Sequence, residues 1–125
     1  MDVVKQLAGG YCSCLEAPSA AEAAGMAERQ EGEVILAPAR GGDCGWKDVV
    51  RELHRRRVPF PVLVVDRCGD EAEWVEVLEA GAFDLLVAPF TKDLVVTAIE
   101  QAASSQRRIL LREPVEHIPR VGFLE

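Results

Sequence analysis

No apolar run in this 125-residue sequence approaches the roughly 20 residues a helix needs to cross a bilayer, so no membrane span is expected. The N-terminus carries Asp2 and lacks a basic-then-apolar leader, so it does not read as a signal peptide, and a cytoplasmic location is the expectation. A concentrated basic surface is missing as well. The formal net charge is −7, which opposes the phosphate neutralisation that nucleic-acid binding requires. The one basic run, Arg55-Arg56-Arg57, falls at an expected helix end and complements the helix dipole there.

Chemistry-bearing patterns are equally scarce. The four cysteines, Cys12, Cys14, Cys44 and Cys68, have no export signal to favour a disulfide framework. Their spacing is not that of a zinc knuckle or ribbon, so free thiols, buried or half-buried, are the expectation. Gly41-Gly42 is too short to cradle a nucleotide. His54 and His117 read as solvated, and neither has a Ser or Cys placed by a hydrolase motif. Nothing here calls for a cofactor, a metal or an enzymatic reaction.

What is present is a core. The chain is 49% hydrophobic and 28% charged, an ordinary balance for one globular domain of this length. It can bury enough surface to need no metal or disulfide staple. Val34-Ile35-Leu36-Ala37, Val62-Leu63-Val64-Val65 and Asp84-Leu85-Leu86-Val87 are short continuous runs, expected for strands covered on both faces. Tyr11 to Leu15 is a weaker strand candidate.

Helical patterns lie between the strands. Ser19-Ala20-Ala21-Glu22 is a capping box opening an alanine-rich helix that stops near Gly32. Trp46, Val49, Val50 and Leu53 share one helical face. Asp70 to Glu73 opens a helix that ends at Gly81, with Val75 and Leu78 expected inward. Thr91 caps a last helix whose stripe is Leu94, Val95, Ala98, Ile99 and Ala102. Strands alternating with single helices predict right-handed βαβ units and a doubly wound, flavodoxin-like parallel sheet. The expected division is a domain over 1–106 and, over 107–125, a helix extension followed by a loose tail broken by Pro114 and Pro119.

The segment Leu78-Glu79-Ala80-Gly81-Ala82-Phe83-Asp84-Leu85-Leu86-Val87-Ala88-Pro89-Phe90 resembles the last third of a response-regulator receiver domain. From about Tyr11 to Ser105 the order of elements is similar to that family. Gly45 stands where the family has the Gly after its third strand, and Pro61 precedes the fourth.

The resemblance implies a set of functional positions, and most are altered here. The phosphate-accepting Asp corresponds to Ala37, the Thr or Ser that senses the phosphoryl group to Asp66, the Lys before the Pro to Ala88, and the aromatic switch residue to Leu85. The two acids that hold magnesium after the family's first strand have no counterpart. That strand, which lies between the second and third in the family's sheet, is itself missing: Met1 to Ala8 suits the second half of the first helix, ended by Gly9-Gly10. The expectation is therefore an N-terminally incomplete domain, either a late start or a closed-up four-stranded sheet. A strand donated by a partner or second copy is the other solution, and a five-stranded sheet within this chain would overturn the reading. The family's cis bond before the Pro corresponds to Ala88-Pro89, although nothing local requires it.

These losses imply a stand-alone pseudo-receiver in a two-component or phosphorelay setting, working by protein–protein contact with a kinase, another signalling protein or itself. Trp74, Val77, Lys92 and Val95 form the candidate interaction face. Asp43 and Asp66, at the carboxyl edge of the sheet, are the acids that stand nearest to a replacement acceptor or metal site. Two other readings remain open: a small thiol- or metal-using α/β protein with Cys44 and Cys68 at that edge, and a truncated receiver whose full-length form binds metal.

Overall fold

The computed structural model describes residues 2–9, 13–39, 45–109 and 120–124. Helices and strands alternate throughout: α1 (Asp2–Ala8), β1 (Ser13–Ala17), α2 (Ala20–Glu28), β2 (Val34–Pro38), α3 (Trp46–Arg56), β3 (Val62–Asp66), α4 (Glu71–Ala80), β4 (Asp84–Val87), α5 (Lys92–Ile109) and β5 (Arg120–Leu124). The five strands form one parallel sheet in the order β1-β5-β2-β3-β4.

Both faces of the sheet are covered. Ile35, Ala37, Val62, Val64, Leu85 and Leu124 pack with residues of α2, α3 and α4. Val34, Leu36, Leu63, Val65, Leu86, Val121 and Phe123 pack against α1 and α5. Two-sided cover is why β2 and β3 read as unbroken apolar runs without alternation.

Local signals place the helix ends. The Glu22 N–H donates to Ser19 Oγ at 3.1 Å, the Glu73 N–H to Asp70 Oδ1 at 2.8 Å, and the Leu94 N–H to Thr91 Oγ1 at 3.2 Å, each satisfying a free first-turn donor. At α3 the bond runs the other way: the Gly45 N–H donates to Asp48 Oδ2 at 3.2 Å. Gly81 ends α4 at φ 106°, a conformation that favours glycine. The Ala88-Pro89 bond is cis.

Three expectations need correction. The position between β1 and β2 is filled, so the sheet is not four-stranded or missing a strand there. Arg120–Leu124 supplies it from the end of the sequence, and these residues of the segment 107–125 are not loose: β5 pairs with all five residues of β1 and with Val34–Leu36 of β2. The covering layers of α/β packing reward any apolar segment that can fill a central gap, and Val121-Gly122-Phe123-Leu124 is one. The 106/107 boundary also falls inside α5, which runs to Ile109.

Second, Val75 does not face inward. α4 lies against the edge of the sheet with Val77 as its one buried residue and Glu73, Leu78 and Ala80 half-buried around it, and Val75 is exposed. Third, Leu94 is exposed, because the buried row of α5 is Val95, Ala98, Ile99, Ala102 and Ala103, and Leu94 sits about 100° around the helix from Val95.

Candidate functional site

The carboxyl edge of the sheet is where open α/β folds bind their ligands. Here β2 ends at Ala37-Pro38 and β3 at Asp66, and β4 runs into Ala88. Ala37 is fully buried and belongs to the apolar cluster that contains Ile35, Val64 and Leu124. The Ala39 N–H donates to Val65 O at 2.8 Å, which ties the start of the following loop down to β3. The end of β2 therefore presents a methyl group under apolar cover.

Asp66 is the buried charged residue among the described residues. Its Oδ1 accepts from the Cys68 N–H at 3.4 Å, and its backbone oxygen accepts from the Ala88 N–H at 3.3 Å. The carboxylate thus shapes the turn that leaves β3, as short acidic side chains do at strand ends. Leu85 is buried, and Gly69 closes over it: a Cβ at Gly69 would lie 3.2 Å from Leu85 Cδ2 and 2.9 Å from Val87 Cγ2. The loop after β3 seals the Leu85 position by this close approach.

Above this edge, a polar depression runs between the starts of α3 and α4. One part, of about 430 Å³, is lined by Ala39, Gly45, Lys47, Asp48 and Arg51. The other, of about 530 Å³, is lined by Cys68, Gly69, Asp70 and Ala72, and both share Glu73 and Glu76. Lys47 Nζ meets Glu76 Oε1 at 2.6 Å and bridges the two helices. Among the described residues no three His, Cys, Asp or Glu side chains gather as metal ligands.

Cys68 is an exposed free thiol, contrary to the expectation of burial, because it sits on the loop leaving β3 and not on the strand. Asp43, Cys12, Cys44 and His117 lie outside the described residues, as does the side chain of Cys14. His54 is exposed, as its polar helical face requires. It lines an apolar hollow of about 360 Å³ with Phe60, Phe83 and Ser105 at the opposite, amino edge.

The basic run is occupied by acids. Arg55 and Arg56 both reach Glu52, and Arg56 also meets Glu28 at 3.2 Å on α2. The Arg55 hydrogen bond holds the Glu52 carboxyl below its ordinary range. Among the described residues no helix is long and apolar enough to cross a membrane.

The candidate interaction face divides. Val77 and Val95 are fully buried and hold α4 and α5 to the sheet, so neither can meet a partner. Trp74 (45% exposed) and Lys92 stand outward. The Trp74 indole N–H donates to Asp84 Oδ1 at 3.1 Å, which fixes the ring beside the edge strand β4. Val75 and Leu94 are the exposed apolar residues that the sequence reading assigned to the core.

No family model matches the chain. It is 26% identical over 77 residues to the C4-dicarboxylate transport transcriptional regulatory protein DctD of Pseudomonas aeruginosa, covering 62% of this chain and 17% of that protein. It is 30% identical over 70 residues to the transcriptional regulatory protein FixJ of Rhizobium meliloti, covering 56% of this chain and 34% of FixJ. The chain thus spans 17% and 34% of the length of these curated relatives. Among solved structures, the signal receiver domain of a Luxo repressor protein from Vibrio parahaemolyticus superposes with a TM-score of 0.74 at 19% identity, covering 91% of this chain and 88% of that one. FixJ-N superposes with a TM-score of 0.68 at 26% identity, covering 82% and 86%. The fold is that of a response-regulator receiver domain, flavodoxin-like and parallel, and in sequence the chain is similar to the receivers of two-component regulators.

Proposed function

We propose that this domain is a pseudo-receiver: a receiver-type module that signals by protein–protein contact, in the cytoplasm, without accepting phosphate and without catalysing a reaction. The observation that carries this reading is Ala37. It stands where the receiver resemblance puts the acceptor Asp, and its methyl is fully buried among Ile35, Val64 and Leu124. Phosphoryl transfer to a carboxylate needs an acceptor and positive charge aimed at the transferring oxygens. Ala37 cannot be the first, and Ala88 stands where the resemblance puts the Lys that would supply the second.

The contact surface in this reading is the exposed strip of Trp74 and Val75 on α4 with Leu94 and Lys92 on α5. Trp74 is its anchor, since a large aromatic already fixed by one hydrogen bond loses little freedom on binding. The partner is a kinase, another signalling protein, or a second copy.

Incubation with a small phosphodonor and magnesium, followed by intact-mass measurement, tests the chemical half. An unmodified mass is expected; a phosphate added at Asp66 or Asp43 overturns the reading. Trp74→Ala tests the other half. It is expected to weaken binding to a captured partner at least tenfold with the circular dichroism spectrum unchanged, and undiminished binding removes Trp74 from the interface.

A further inference from the structure

Phe60 and Phe83 line the hollow of about 360 Å³ at the amino edge of the sheet, the edge opposite Ala37 and Asp66. Phe60 precedes β3 and packs with the layer of α2, α3 and α4. Phe83 precedes β4 and packs with the layer of α1 and α5. The hollow therefore lies across the end of the sheet, with His54 of α3 and Ser105 of α5 on its rim.

Its walls are set by the fold. The Phe83 N–H donates to Val62 O at 2.8 Å, and the Ile35 N–H donates to Pro61 O at 3.0 Å. The Val58 N–H donates to Leu53 O at 3.0 Å and turns the chain from α3 into the wall. Pro59 and Pro61 fix the backbone on either side of Phe60. A site formed in advance loses little entropy when it is filled.

The polar side chains of the lining are His54 and Ser105, and among the described residues no Asp or Glu joins them. The His54 ring rests against Gly81, where a Cβ would lie 3.7 Å from its Cε1 and 3.8 Å from its Nε2. Neither His54 nor Ser105 has a side-chain hydrogen-bond partner among the described residues. Arg57, next in the chain to the lining residue Val58, is exposed. Arg55 and Arg56 are taken up by Glu52 and Glu28, whereas Arg57 pairs with no acid among the described residues. In a chain of net charge −7, this is an apolar hollow with a basic mouth.

We propose that the hollow is a binding site for a small aromatic carboxylate of two fused rings. The rings lie between Phe60 and Phe83, and the carboxylate stays at the mouth with His54, Ser105 and Arg57. Size sets the ring number: an apolar cavity of about 150 Å³ holds one benzene, and this hollow is more than twice as large. Charge sets the head group, since a carboxylate accepts from an imidazole, a hydroxyl and a guanidinium alike. An apolar body oriented by a few polar groups is the usual composition of a small-molecule site.

The probe is 2-naphthoate, titrated into the full chain and followed by NMR. Saturable shifts at His54, Phe60, Gly81, Phe83 and Ser105 are expected, with a submillimolar Kd. The uncharged 2-naphthol is expected to bind at least tenfold more weakly. The double variant His54→Gln, Arg57→Gln changes only exposed side chains, and is expected to weaken 2-naphthoate at least tenfold with the circular dichroism spectrum unchanged. An absence of saturable shifts at these residues overturns the proposal, as do shifts centred on the polar depression at the carboxyl edge. Equal affinity for 2-naphthol, or undiminished binding by the double variant, also overturns it, because the mouth then selects no carboxylate. None of these outcomes depends on whether the domain accepts phosphate.

Discussion

Phe123 lies directly opposite Leu36 across β5 and β2, and neither side chain retains exposed surface. The pair sits at the centre of the sheet, under α1 and α5. Phe123→Ala should therefore cost about 3–5 kcal/mol, the usual range for emptying an aromatic site in a packed core. Urea unfolding measures it. A loss below 1 kcal/mol would mean that β5 does not occupy the sheet.

α4 rests on the molecule through Val77, its single buried side chain, whereas α3 buries Trp46, Val49, Val50 and Leu53. Val77→Ala removes two methyl groups and should cost about 2 kcal/mol including the void left behind. Because so little else holds α4, its amides should exchange with solvent well before those of β2 and β3. Hydrogen exchange followed by mass spectrometry reads this directly; uniform protection across α4 and α3 would contradict it.

Ala37→Asp restores the residue type that a phosphate acceptor needs, but it places a carboxylate under the cover of Val64 and Leu124. We expect it to destabilise the domain by at least about 3 kcal/mol and to gain no phosphate from a small phosphodonor. A stable, phosphorylated variant would show that the site is one substitution from function.

Glu52 accepts hydrogen bonds from Arg55 at 2.8 Å and Arg56 at 3.3 Å, and its carboxyl is held below the ordinary glutamate range, first by the Arg55 bond and then by the charges of both arginines. A carboxyl whose folded pKa is depressed contributes stability above its unfolded pKa and loses it as the pH falls through the folded value. Carbon-detected NMR titration should find Glu52 titrating below the ordinary glutamate range. Arg55→Ala should move it back up; an unmoved Glu52 would place the cause elsewhere.

The continuous runs at Val34–Ala37, Val62–Val65 and Asp84–Val87 were readable as strands because both of their faces are covered. The caps at Ser19, Asp70 and Thr91 were readable because each satisfies a specific donor. That Ala37 and Ala88 stand where the receiver family has its Asp and Lys rests on the resemblance alone. β5 was not readable, since a four-residue apolar run after Pro119 carries no local sign of where in space it will pair. The face of α4 was misread for a related reason. Val75, Val77 and Leu78 are all apolar, and which one turns inward depends on how the helix lies on the sheet edge, a tertiary fact that periodicity does not contain.

Ser13 pairs with Arg120, and Ala17 with Leu124, so the first and last strands in the sequence are neighbours in the sheet. In receivers the central strand comes first in the chain; here the same position is filled last, as if one strand had been moved from the front to the back. A ribosome must therefore synthesise α1 through α5 before the strand that completes their sheet exists. Among the described strands, the longest-range pairing is also the one that joins β1 to the rest of the sheet. High contact order slows folding, so closure of the sheet at β1-β5-β2 should be the slow step. Until Leu124 emerges, the nascent domain has a β2-β3-β4 half and a first strand with no strand beside it.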